Sequence, residues 1–103
     1  MPKGYWIGRV DVTNPDGYKA YVAANVEPFR KYGARFLVRA GNFETMEGES
    51  RARHVVIEFE DYATALACYR SLEYQRAMAL RKRHSVADIV LIKGYDGPQP
   101  ADT

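Results

Sequence analysis

The sequence predicts an α+β domain in which four antiparallel strands carry two helical segments on one face. Three observations predict it. Apolar residues alternate with polar ones in "GYWIGRVDV", "ARFLVRAG" and "HVVIEFE", and "ADIVLIKGY" adds a fourth extended run. Two stretches of helical period open on capping residues. Their order along the chain is β-α-β-β-α-β. With both helices covering one side of the sheet, that order is the ferredoxin-like arrangement.

In the first strand, Trp6, Gly8, Val10 and Val12 alternate with Tyr5, Ile7, Arg9 and Asp11, so the strand has one apolar and one mixed face. Asn14 followed by Pro15 starts a helix, because Asn accepts from a free amide and Pro suits the first helical position. Tyr18, Val22, Phe29 and Tyr32 keep helical spacing, Pro28 is expected to bend or break the segment, and Gly33 closes it. The second strand follows. A turn-rich connection through "NFETMEGESRAR" leads to the third, where Val55, Ile57 and Phe59 form one apolar face. Asp61 caps "YATALACYR", Ser71 caps "LEYQRAMALRKRH", and the last strand follows His84. The run "RKRH" reads as a solvated helix end that complements the helix dipole.

At 103 residues the chain has one domain's length, and about 60 to 68% of its surface should be buried on folding. Residues 1–96 are assigned to that domain and 97–103, the end of the Gly-, Pro- and Asp-rich stretch "GYDGPQPADT", to a mobile tail. A formal charge of +2 argues against a dedicated nucleic-acid binder. No apolar run reaches the ~18 to 20 residues that cross a bilayer. The start has no signal-peptide pattern, so a cytoplasmic location with no membrane partner is expected.

Alternation in the second and third strands puts Leu37 and Arg39 on one face, and His54, Val56 and Glu58 on one face. Combined with Ile7, Arg9, Ile89, Leu91 and Lys93, they make a mixed open sheet face. Packing two such faces together gives a homodimer with a polar pocket between the sheets. In that pocket Arg39 would hold a carboxylate or enolate oxygen through its planar fork, with Arg9 beside it. Glu58 would act as a general base and His54 as a proton shuttle. A structural Arg39–Glu58 salt bridge is the plainer reading of the pair. Tyr74 would cover the pocket mouth and Trp6 supply an apolar wall, although both residue types often serve as core.

Cys68 reads as a buried small residue. Two histidines and one cysteine without His-x-x-x-His or Cys-x-x-Cys spacing give no metal site. No phosphate-binding loop appears either, so no bound cofactor is expected.

The blocks "GYWIGRVDV", "YGARFLVRAG", "EGESRARHVVIEF", "ACYRSLEYQ" and "LIKGYDG" resemble, in order and over nearly the whole chain, the family catalogued as domain of unknown function 1330. The resemblance implies a dimeric α+β barrel, an architecture shared with cofactor-free monooxygenases of antibiotic biosynthesis and with muconolactone isomerase. It implies no established reaction. Arg39 matches the arginine of the family's "LVRGG", Glu47 and Gly48 its "EG", Glu58 the glutamate of "VIEF", and Tyr69 to Gln75 its "YxSPEYQ". This chain departs at Ala40, where the family has Gly, at Leu72, where it has Pro, and at the "ED" after "VIEF".

The function these readings support is binding of a small anionic or enolisable molecule, with cofactor-free oxygenation or isomerisation as the catalytic form. Non-catalytic ligand binding and a purely structural dimerisation module are the alternatives. The element order is also that of RNA-recognition modules, but Val55, Val56 and Ile57 stand where stacking aromatics are needed, and Glu58 would repel phosphate.

Overall fold

A computed structural model describes residues 2–102 of the chain; Met1 and Thr103, the ends of the expected domain and tail, lie outside the described residues. The elements are β1 (Gly4–Val12), α1 (Pro15–Ala24), α2 (Val26–Lys31), β2 (Arg35–Arg39), β3 (Arg53–Phe59), α3 (Tyr62–Arg70), α4 (Leu72–His84) and β4 (Ser85–Lys93). A short 3-10 turn, Pro100–Asp102, follows within the exposed tail. The strands form one sheet in the order β2-β3-β1-β4, with antiparallel neighbours throughout. This is the expected ferredoxin-like fold.

Each expected helical segment is two helices. The first breaks at Asn25, not at Pro28. Pro28 instead occupies the first turn of α2, where its missing donor leaves no hydrogen bond unmade, so the break falls just upstream of it. Asn14 and Asp61 cap as expected, accepting from Gly17 N at 3.1 Å and Thr64 N at 2.7 Å. Ser71 ends α3 and starts α4, its Oγ donating to Cys68 O and accepting from Tyr74 N.

The helices cover the sheet face that carries Trp6, Val10, Ile57 and Phe59, all at most 4% exposed. Trp6 centres the core, with its ring 4.8 Å from Tyr74, 5.2 Å from Phe59 and 5.3 Å from Phe29. Its Nε1 donates to Ala65 O at 2.9 Å, so the one polar atom of the ring is satisfied. Cys68 is fully buried, and burial pushes its thiol up to about 12, which keeps it protonated and unreactive.

Two expectations about the open face are corrected by register. In β4, Ile89 and Leu91 pair with Gly8 and Trp6 and therefore face the helices, as does Lys93 opposite Gly4; Val86, Val90 and Ile92 take the open face. Both faces of "IVLI" are apolar, so alternation could not assign them. In β2 the register shifts between Phe36 and Val38: Phe36 lies opposite Ile57, Val38 opposite Val56 and Arg39 opposite Val55. This β-bulge sends Arg39 to the helix-covered side. Arg39 and Glu58 thus lie on opposite faces, and neither forms an ion pair among the described residues.

Candidate functional site

The single chain carries a cavity on the side of the sheet opposite the expected pocket, which would lie between the open faces of two subunits. The cavity lies between the sheet and helices α1, α2 and α4, with a volume of about 40 Å³, room for roughly three waters. Trp6, Phe29 and Phe36 supply flat apolar walls, while the titratable lining consists of Tyr18, Tyr21 and Tyr74 with Arg39, Arg53 and Arg81.

Local structure explains how each polar group arrives. Tyr18 and Tyr21 stand three residues apart on the buried stripe of α1. Tyr74, Ala77 and Arg81 form the buried stripe of α4, at i, i+3 and i+7. Arg53 opens β3 opposite Val10, on the same face as Val55 and Ile57. Arg39 comes by way of the bulge and remains exposed at the rim, its guanidinium 4.1 Å above the Phe36 ring.

The electrostatics are one-sided. Arg81 is 5% exposed and its Nε has no hydrogen-bond partner; the buried Nε of Arg53 has none either. No carboxylate lines the cavity, and none stands within ion-pair distance of Arg39, Arg53 or Arg81 among the described residues. Each guanidinium leans instead on a ring, Arg53 at 5.6 Å from Tyr18 and Arg81 at 5.9 Å from Tyr21. The Tyr21 and Tyr74 hydroxyls share a hydrogen bond of 2.8 Å. Burial pushes the Tyr74 hydroxyl far above the ordinary phenol range, with Tyr21 adding to the shift and Arg81 opposing it. Tyr18 is raised in the same way by burial. These phenols are donors at neutral pH, and what the site can do is receive negative charge.

Of the six residues the sequence singled out, the structure brings Trp6, Tyr74 and Arg39 together here. Both Trp6 and Tyr74 are core residues and cavity walls at once. Arg9, His54 and Glu58 lie on the open face: Arg9 between His54 and Asp88 in register, Glu58 between Tyr5 and Arg35. The His54 ring packs edge-on against Phe43 at 4.4 Å, and its buried Nε2 has no partner. Sequence reasoning missed Tyr18, Tyr21, Arg53 and Arg81. The signal for Arg81 was present, since it keeps helical register with Tyr74, yet "RKRH" read as a solvated end. Only Lys82 and Arg83 are exposed there; the His84 ring packs where a side chain on Gly17 would stand.

The open face is largely apolar, and Asp11 and Asp88 on it are paired. Ile7, Leu37, Val38, Val86, Val90 and Ile92 are each 41 to 55% exposed. At one end Arg51 bridges Asp11 at 2.8 Å and Asp88 at 2.9 Å, tying the β2–β3 connection across the sheet.

A four-stranded antiparallel sheet with helices on one face and a cavity beneath them places the chain in the ferredoxin-like α+β class. Residues 3–95 match the family described as domain of unknown function DUF1330, and the chain belongs to that family. No curated protein matches the chain by sequence. Among solved structures it is similar to a protein of unknown function from Rhodopseudomonas palustris, with TM-score 0.72 and 16% identity over 93% of this chain and 85% of that one. It is also similar to SnoaB, a cofactor-independent oxygenase from Streptomyces nogalater, with TM-score 0.63 and 11% identity over 94% and 97% of the two chains. A dimeric ferredoxin-like protein of unknown function from Thermobifida fusca gives TM-score 0.56 and 13% identity over 88% and 92%.

Proposed function

We propose that the protein is a homodimer, joined through the open faces of its sheets, that binds a small organic anion in the cavity between sheet and helices. The observation that carries the reading is the buried, ion-pair-free Arg81 beside Arg53 in a cavity lined by no carboxylate. Leaving a buried charge without a counter-ion is costly, and a bound anion removes that cost. The exposed apolar residues of the open face support the dimer, because a patch of that kind marks an interaction surface. So does the dimeric T. fusca protein. Arg9, His54 and Glu58 then belong to the interface. SnoaB carries out its oxygenation on the same fold without a cofactor, which supports a catalytic use of the cavity in the same style.

The test is a thermal-shift titration with formate, acetate and other small carboxylates, paired with sedimentation to fix the oligomeric state. A specific ligand raises the melting temperature as the site saturates. Stabilisation by an anion, lost in Arg81→Met and kept in Arg9→Met, is the expected outcome. Equal responses in both variants, or none in the parent, would overturn the reading.

A further inference from the structure

Building on the homodimer reading, we infer that the connection between β2 and β3 is an arm that docks on the second copy of the chain. Phe43 and Met46 are its apolar contacts, and Glu44 and Glu47 are the charges that meet Arg35 of the facing sheet. Residues 40–52 contain no helix or strand, and every residue from 40 to 50 is exposed. Structureless connections longer than about 12 to 15 residues are uncommon in compact domains, and those near that length are usually functional.

This connection is held in shape while covering little of its own chain. Thr45 Oγ1 and Ser50 Oγ lie 2.8 Å apart in a hydrogen bond, and the Ala52 amide donates to Asp11 at 2.8 Å. Arg51 adds its two ion pairs, to Asp11 and Asp88. Yet Met46 is 79% exposed and Phe43 47%, with Phe43 resting only an edge on the His54 ring. A shaped segment with its apolar side chains left outward presents a contact surface. Aromatic residues and Met are also the types enriched where proteins meet.

Position and charge select a second copy as the occupant. The tethers Asp11, Asp88 and His54 all belong to the open face, so the arm borders the apolar surface through which the subunits join and extends it. From 40 to 50 the arm carries Glu44, Glu47 and Glu49 and no basic residue. The open face presents exposed Arg9 and Arg35, and none of these five forms an ion pair among the described residues. Glu49 and Arg9 border one polar trough within the chain, which leaves Glu44 and Glu47 for Arg35 of the other copy. Two-fold symmetry makes the contact reciprocal, so each subunit both gives an arm and receives one.

Sedimentation equilibrium of the full chain tests this. Phe43→Ser combined with Met46→Gln should weaken the dimer at least about tenfold. Leu72→Ser, which removes a side chain 71% exposed on the helix side, should leave it unchanged. Glu44→Lys with Glu47→Lys in one protein, and Arg35→Glu in another, should each weaken self-association. Mixing the two restores opposite charges at both contacts, so native mass spectrometry should find heterodimer in excess of either homodimer. Parent-like association of the Phe43→Ser, Met46→Gln protein, or no excess of heterodimer in the mixture, would overturn the inference. The dimer reading stands in either case if the parent sediments as a dimer, and a monomeric parent overturns both.

Discussion

The two faces of this sheet handle charge in opposite ways. On the open face, which is exposed in the single chain, Arg51 sits between Asp11 and Asp88. On the helix-covered face, where water is largely excluded, Arg53 and Arg81 have no acid at all. Stability alone would favour the reverse, because desolvating an unpaired charge is expensive and pairing one in water brings little. The chain has 13 acidic residues and sets none against this cavity. An arrangement that costs stability in the empty protein is the expected mark of a site completed by a ligand.

Substitutions that strike one face and spare the other separate the two accounts most sharply. Trp6→Ala, in the centre of the covered face, should cost about 3 to 5 kcal/mol, a large part of the roughly 5 to 15 available to a domain. Denaturant unfolding would show it. Val90→Asp, on the open face and 55% exposed, should leave the fold in place and convert the dimer to monomer in sedimentation. A folded, dimeric Val90→Asp protein would break the comparison.

A smaller effect carries more information. Arg81→Met removes a desolvated charge while keeping most of the side-chain length, so the empty protein should hold its stability or gain about 1 kcal/mol. A loss of several kcal/mol in chemical denaturation would make Arg81 a structural residue.

Ala40 follows the bulged strand with φ 56°, a left-handed conformation that disfavours any residue with a Cβ. The family pattern has Gly at this position. Ala40→Gly should therefore stabilise the chain by about 1 kcal/mol, measurable as a higher unfolding midpoint, with ligand binding unchanged.

The smallest effect concerns the open-face triad. Asp88 is held below its ordinary value first by Arg51, and Asp11 first by the Ala52 amide and then by Arg51. Because the folded values are depressed, the stabilisation is present above the ordinary value of 3.8 and is lost as pH falls through the folded values. Arg51→Met should flatten that acid limb in a pH series of melting temperatures, more through Asp88 than through Asp11, whose amide bond survives.

How much of this was legible depends on where local rules held. The caps at Asn14, Asp61 and Ser71 and the faces of β1 are short-range matters, and they read directly from residue type and alternation. Arg39 did not, because a bulge adds one residue to the count and turns every later side chain over; nothing in "RFLVRAG" marks it. The faces of β4 were hidden by an apolar run without polar contrast. Arg53 and Arg81 were visible as charges in phase with apolar stripes, and the habit of reading arginine as solvent-facing obscured them.

The central claim is that an anion meets the covered face and not the open one. NMR of the arginine Nε–Hε groups and the histidine rings during an acetate titration tests it most directly. The account predicts that the resonances of Arg53 and Arg81 move together and saturate, while Arg9 and His54 stay in place. Movement of Arg9 and His54 with Arg53 and Arg81 unperturbed would contradict it and return the site to the open face.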